Sequence, residues 1–188
     1  MKKLMLVAAI ALAGVSANAA AVSWTASNIY QPGSTADKIA AGSGLVYYFC
    51  AEEVSTSTLL STLASTETTL ADKVSYLNAK SMDHAALDVA GKISHDTTWS
   101  KAAGSYTFYG VIFADTAVAE NGKFVVTAVT SSIGWDNSAD VIVGLGNQKT
   151  LTQDASNWST VAASVPEPTS GLLLLLGMAG LALKRRRA

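Results

Sequence analysis

The sequence predicts an α+β fold: an antiparallel β-sheet or β-sandwich with one helical insertion, followed by a short C-terminal apolar helix. Two patterns predict this fold: short segments rich in β-branched and aromatic residues, which are typical of strands, and one longer segment of helical periodicity. The strand-like segments lie both before and after the helical one. The chain has 188 residues, enough for one domain. Because both ends are strongly apolar, we expect the globular domain to span residues 20–155.

The strands are predicted from apolar runs and from apolar–polar alternation. Residues 45–51 form a continuous apolar run, which is typical of a central strand covered on both faces. The Asn-Gly pair in residues 120–123 favours positive φ and predicts an antiparallel hairpin. The other predicted strands are residues 22–26, 105–114, 123–130, 140–145 and 158–161.

Residues 55–80 are predicted to form one helix. The apolar positions in this segment recur at helical spacing: Leu59, Leu63, Leu70, Val74 and Leu77. Ten of the fifteen residues 55–69 are Ser or Thr, which compete for backbone hydrogen bonds, so this helix needs a sheet to pack on. A glycosylated Ser/Thr tract is the alternative, although the segment lacks the prolines of such tracts. Residues 85–90 could form a further helical turn or a loop.

The N-terminus has the pattern of a secretory signal peptide. Lys2 and Lys3 precede an apolar run over residues 4–15, and Ala17-Asn18-Ala19 supplies the small residues that signal peptidase requires. The run is too short to span a bilayer core of about 30 Å comfortably. We therefore predict cleavage after Ala19, with Ala21 as a competing site and an uncleaved anchor as the alternative.

The C-terminus has three consecutive parts. Pro166-Glu167-Pro168 comes first, residues 171–183 form an apolar segment, and the chain ends with the cations Lys184, Arg185, Arg186 and Arg187. The cations are expected to keep this end in the cytoplasm. A helix of thirteen residues rises only about 20 Å, so we expect a short, transient stay in the inner membrane. Residues 156–164 are predicted to link this tail to the domain.

This tripartite tail resembles a PEP-CTERM sorting signal, here over residues 165–188. The resemblance implies that Pro166, Glu167 and Pro168 are recognised by an exosortase-type processing enzyme, which removes the tail nearby. It also implies export and delivery to the cell surface or extracellular matrix, often with glycosylation. An ordinary C-terminal membrane helix is the alternative reading.

The composition of residues 20–165 excludes several classes of protein. This segment has seven lysines, no arginine and thirteen acidic residues, hence a net charge of −6, which excludes a basic nucleic-acid binder. Cys50 is the single cysteine, so there is neither a disulfide framework nor a cysteine-cluster metal site. We expect Cys50 to be a buried small hydrophobe, with a reactive thiol or an intermolecular bridge as alternatives.

No catalytic or metal-binding motif is visible. His84 and His95 each have an aspartate beside them, but side chains adjacent in sequence point in different directions, so we expect solvated surface residues. The two histidines lack the spacing of a helical zinc site. Residues 136–140 are rich in oxygen ligands but lack the glycine and closing Glu of a calcium loop, which favours a turn. We therefore expect no metal, no cofactor and no enzymatic activity.

The remaining candidates for binding are aromatic. Trp99 and Trp135 lie in predicted loops, where exposed rings could stack on sugars, although packing inside the fold is the common use of tryptophan. The predicted function is a non-enzymatic cell-surface or matrix protein. The alternative is a carbohydrate-binding module whose partner is an extracellular polysaccharide. A small hydrolase would need two facing carboxylates, which the sequence does not indicate.

Overall fold

The computed structural model describes residues 20–165, and within that range ten strands form three sheets. In chain order the strands are β1 (Ala21–Ser27), β2 (Leu45–Cys50), β3 (Asp83–Ala86), β4 (Lys92–Thr98), β5 (Gly104–Tyr106), β6 (Phe108–Phe113), β7 (Lys123–Val126), β8 (Ile133–Trp135), β9 (Val141–Asn147) and β10 (Ser159–Thr160). The helices are α1 (Thr56–Ala64), α2 (Leu70–Lys80), α3 (Lys149–Gln153) and the 3-10 helix Ala155–Asn157. The predicted α+β class is confirmed.

The middle layer is a five-stranded antiparallel sheet in the order β10-β7-β6-β2-β3. Its strands β2 and β6 are buried on both faces. Val46 and Tyr48 belong to the core cluster on one side of the sheet, whereas Tyr47 and Phe49 belong to the cluster on the other side. The continuous apolar run over residues 45–51 therefore is the doubly covered strand that the sequence predicts.

A three-stranded sheet in the order β4-β1-β9 covers one face of the middle sheet. Strand β1 is antiparallel to β4 but parallel to β9, so this sheet is mixed. Val22 and Trp24 alternate inward from β1 and are buried, while Thr25 between Trp24 and Ala26 is exposed. The pairing of β1 with β9 shifts by one residue after Thr25: Thr25 pairs with Gly144, whereas Ala26 pairs with Gly146. Strand β9 therefore has one extra residue at this point, as in a β-bulge. The third sheet is the short antiparallel pair β5–β8.

Helices α1 and α2 cover the opposite face of the middle sheet. Leu59, Leu63 and Leu77 point into the core there, as the helical spacing predicts. The prediction of one helix over residues 55–80 is wrong, because the Ser/Thr side chains of this segment bond to the backbone and end one helix and start another. The N–H of Asp72 donates to Thr69 Oγ1 at 3.2 Å and caps α2, while Ser65 stands at the end of α1.

Two predicted β-region boundaries also differ. Residues 83–86 form edge strand β3 because they pair with β2, so of the segment 85–90, expected as a helical turn or a loop, only residues 87–90 are loop and no helical turn forms. The single strand predicted over residues 105–114 is two strands in different sheets, interrupted at Thr107. The backbone N–H of Thr107 donates to the Glu52 carboxylate at 2.9 Å, which replaces a ladder hydrogen bond at the break. The predicted hairpin between β6 and β7 is confirmed, with Asn121 at φ 61°.

Residues 156–164, predicted as a linker, pack onto the domain. Ser159 and Thr160 pair with Phe124 and Lys123 of β7, and the side chains of Trp158 and Val161 are buried. Burial of these apolar side chains holds the segment on the sheet. The globular fold therefore extends to residue 165. Among residues 20–165, no helix is both long enough and apolar enough to cross a membrane. The expected C-terminal apolar helix lies outside the described residues.

We expect Leu63→Ala to lower the free energy of unfolding by about 2–5 kcal/mol, because it leaves a cavity between α1 and the middle sheet. Leu60→Ala is the matched control on the same helix, since Leu60 is 37% exposed. Urea denaturation of both variants measures the difference. Equal losses in the two variants would contradict the packing of α1 described above.

Candidate functional site

The residues directly after the predicted signal-peptidase site are part of the fold. Ala20, the first residue after Ala19, is buried in the core. The backbone N–H of Ala21 donates to Asp140 Oδ1 at 2.8 Å, and Ala21 pairs with Thr98 across β1 and β4. Cleavage at the competing site after Ala21 would remove these contacts. Ala17 and Ala19 themselves lie outside the described residues.

The last described residues form a strap, which we define as residues 158–165. Two backbone hydrogen bonds attach it to the end of α1 and the loop that follows. The N–H of Ala162 donates to the carbonyl of Leu63 and the N–H of Val165 donates to the carbonyl of Thr66, both at 3.0 Å. Lys73 of α2 is fully buried, and its Nζ donates to the Ala162 carbonyl at 2.5 Å. The strap is therefore joined to both helices.

The loop between β6 and β7 holds the other side of the strap. The carboxylate of Glu120 accepts hydrogen bonds from Ser164 N–H at 3.2 Å and Ser164 Oγ at 3.0 Å. The N–H of Asn121 donates to the Val161 carbonyl at 2.8 Å, and Val161 N–H donates to Gly122 at 3.0 Å. The hydrogen-bonded part of the strap thus extends to Val165, the residue before Pro166. The predicted processing residues Pro166, Glu167 and Pro168 and the cations Lys184, Arg185, Arg186 and Arg187 lie outside the described residues.

One histidine–carboxylate pair is formed between strands of different sheets. Nε2 of His95 on β4 lies 2.9 Å from Oδ2 of Asp83 on β3, and Thr97 Oγ1 donates to the same oxygen at 3.3 Å. Comparison of neighbouring residues in the chain, such as Asp83 with His84 and His95 with Asp96, does not reveal this pair. The observed pair is separated by twelve positions, and the signal that could have found it is the inward alternation of Ile93, His95 and Thr97 along β4.

The surroundings of this pair are aromatic. The ring of His95 stacks on Tyr48 at 5.4 Å between centroids, and Tyr48 stacks on Trp24 at 4.6 Å. Burial opposes ionisation of Asp83, but hydrogen bonds from His95, the His84 N–H and Thr97 outweigh it and hold the pKa of the carboxyl below its usual value. Burial, with the charges of Asp88 and Asp83, raises the pKa of Tyr48.

The Asp83–His95 pair joins the edges of two sheets, because Asp83 lies on edge strand β3 of the middle sheet and His95 on edge strand β4 of the outer sheet. The neighbouring hydroxyl, Thr97, donates to the carboxylate and not to the imidazole, so it is not placed as an activated nucleophile. His84 is exposed and stacks on Tyr47, and Asp96 is exposed, as predicted for surface residues. His95, in contrast to that prediction, is half-buried.

Trp99 and Trp135 come together, but inside the protein. Their ring centroids lie 5.0 Å apart, and the two residues are only 8% and 3% exposed. Tyr106 and Phe108 pack edge-on against Trp99, and Trp135 Nε1 donates to the Lys101 carbonyl at 3.2 Å. The tryptophans therefore pack inside the fold, the favoured reading, and the alternative of exposed rings that stack on sugars is not what the structure shows: neither ring presents an open face to solvent. The reason is that aromatic burial is worth more to this small core than display.

The oxygen-rich segment 136–140 forms a turn, as predicted. Asp136 Oδ1 accepts a hydrogen bond from the Ser138 N–H at 2.9 Å, and Asn137 has φ 62°. Bonding to the backbone and side chain of Ser138 lowers the pKa of Asp136. Within residues 20–165, no three His, Cys, Asp or Glu side chains are grouped to hold a metal ion.

A shallow, open groove lies on the outer sheet, away from these clusters. Its walls are the hydroxyl-bearing Thr25 and Ser27, the amide-bearing Asn147 and the two glycines Gly144 and Gly146. Glycine leaves the backbone of β9 accessible here. The groove offers neutral hydrogen-bonding groups and no titratable one, so its chemistry suits weak polar contacts.

We expect Asp83→Asn to destabilise the protein by less than about 1 kcal/mol at pH 7, because the Asp83 and His95 side chains are 40% and 27% exposed and solvent screens their attraction. A carboxyl whose pKa is depressed by folding stabilises the folded state above its unfolded pKa of about 3.9. That contribution is lost as pH falls through the lower folded pKa. The difference in Tm between wild type and variant should therefore shrink below about pH 4.

Asp96→Asn is the control for this prediction, since Asp96 is adjacent to His95 but exposed on the outer face. It should change stability by less than about 0.5 kcal/mol at every pH. A loss for Asp83→Asn that stays constant down to pH 2 would contradict an ionised Asp83 as its source.

We expect Cys50 to resist alkylation in the folded protein. Its thiol is buried and Sγ donates to Glu52 Oε2 at 3.2 Å. Burial, followed by the hydrogen bond to Glu52, raises the pKa of Cys50 to about 12, so little thiolate exists at pH 8. Iodoacetamide should modify Cys50 in urea but not in buffer, as measured by intact mass. Rapid modification in buffer would show that the thiol is accessible.

The comparisons with known proteins concern the tail. A family model described as the PEP-CTERM protein-sorting motif matches residues 164–187. No curated protein and no solved structure matches the chain. The matched range contains Pro166-Glu167-Pro168 and the terminal cations, and it begins at Ser164, within the strap. The chain therefore carries a C-terminal PEP-CTERM sorting motif, the mark of a protein processed by an exosortase-type enzyme and sorted to the cell surface.

Proposed function

We propose that the mature protein is a non-enzymatic cell-surface or extracellular-matrix domain, released from an exported precursor by cleavage at both ends. The observation that carries the proposal is that the residues adjoining both predicted processing sites belong to the fold. Ala20 is in the core directly after the predicted signal peptide, and Val165 is hydrogen-bonded directly before Pro-Glu-Pro. Cleavage after Ala19 and beyond Pro-Glu-Pro would therefore leave the folded residues 20–165 intact.

The first cleavage is assigned to signal peptidase, after Ala19. The proposed product starts with Ala20 and keeps the whole of β1, which is the central strand of the outer sheet. Until the second cleavage, the apolar segment 171–183 would hold the precursor at the inner membrane with the domain on the outer side.

Surface charge supports a role outside the cell. A net charge of −6 over residues 20–165 opposes self-association and repels nucleic acid and anionic lipid. The outer-sheet groove adds neutral groups for contact with other molecules, namely the hydroxyls of Thr25 and Ser27 and the amide of Asn147. These features suit a displayed domain that makes weak, polar contacts with its neighbours.

The proposal of a non-enzymatic domain is supported by how the reactive groups are used. The imidazole Nε2 of His95 and the carboxylate of Asp83 bond to each other across two sheets, and Cys50 is buried. The alternative, a carbohydrate-binding module that stacks sugars on Trp99 and Trp135, has no support from their burial.

Intact-mass measurement tests the proposal in cells with and without the exosortase-type enzyme. In cells with the enzyme, we expect the protein to lack residues 1–19 and the tail that follows Pro-Glu-Pro. In cells without it, or for the double variant Pro166→Ala and Pro168→Ala, the tail should remain. Pro32→Ala is the matched control, because Pro32 is the one proline outside the triplet and lies in a turn of the domain. A wild-type mass that retains residues 172–188 would refute the proposal.

A further inference from the structure

The matched sorting motif and the folded domain overlap in sequence. The family match begins at Ser164, and both Ser164 and Val165 are bonded to the domain. Glu120 holds Ser164 through its backbone N–H and its hydroxyl, and Thr66 accepts from Val165. The first two residues of the motif are thus part of the globular structure.

The bonds that hold the strap differ in strength. Glu120 supplies a charged acceptor and Lys73 a charged donor, and hydrogen bonds with one ionised partner are the stronger kind. Lys73 is fully buried and uses the Ala162 carbonyl as its partner. A buried ammonium without a partner is costly, so this bond ties the strap to α2.

The backbone groups that precede the Pro-Glu-Pro triplet are already in use. Peptides that bind as extended strands use backbone N–H and C=O groups on both sides of the recognised residues. Before Pro166, the N–H groups of Ala162, Ser164 and Val165 are bonded within the domain. An enzyme that binds the motif as an extended strand would therefore compete with the domain for these groups.

We propose that the strap controls processing: residues 162–165 must detach from Lys73, Glu120 and Thr66 before the exosortase-type enzyme can act on the motif. This inference rests on the proposed function, since it concerns the same cleavage. The docked strap is the resistant state of the precursor and the released strap is the competent state. Its release equilibrium sets how fast the folded precursor is processed.

The test is a pulse-chase measurement of the full chain in cells that contain the processing enzyme. Glu120→Ala removes the acceptor of both Ser164 bonds, and we expect it to accelerate loss of the tail about threefold to tenfold. Lys73→Met keeps an apolar stem but removes the donor to Ala162, and we expect a similar acceleration. Thermal melting of each purified protein reports whether the domain remains folded.

Glu67→Ala is the matched control. Glu67 is exposed and adjacent to Thr66, and within residues 20–165 its carboxylate makes no hydrogen bond or ion pair, so its replacement should leave the rate unchanged. If Lys73→Met fails to fold, Glu120→Ala decides the outcome. A folded Glu120→Ala precursor processed at the wild-type rate, or more slowly, overturns the inference. A wild-type precursor that is never processed refutes the proposed function instead.

Discussion

Burial of the middle sheet on both faces is the constraint on which the rest of the structure depends. Strands β2 and β6 carry apolar or aromatic side chains on each side of the sheet, so two separate layers must cover them. The helices supply one cover and the three-stranded sheet supplies the other. Each cover also needs the middle sheet: α1 and α2 have only nine and eleven residues, and the outer sheet buries Val22 and Trp24 against it.

The first and last segments of the domain both take part in these layers. Strand β1, which begins one residue after Ala20, is the central strand of the outer sheet and brings Trp24 into the core. At the other end, β10 extends the middle sheet and the strap closes over α1 and α2. The matched sorting motif begins inside the folded domain, because the strap and the motif share Ser164 and Val165. The proposed control of processing rests on this overlap.

The reactive side chains serve this architecture as well. The Asp83–His95 pair connects the edge strand of the middle sheet with the edge strand of the outer one, and the Tyr48 and Trp24 rings continue the contact inward. Cys50, Trp99 and Trp135 are buried in the core. What remains for contact with other molecules is the polar outer sheet, together with the acidic surface charge.

Local patterns determined much of this protein. The doubly buried run at residues 45–51, the inward leucines of the helical region and the Asn-Gly hairpin follow from side-chain periodicity and backbone preference, which act over a few residues. The tail motif is likewise a linear pattern, readable without a fold. Tertiary structure alone decided the docking of residues 156–164, the parallel pairing of β1 with β9, the burial of Trp99 and Trp135, and the meeting of Asp83 with His95. These features depend on contacts between segments far apart in the chain, whose free energy appears only when the layers pack, and no local pattern records them.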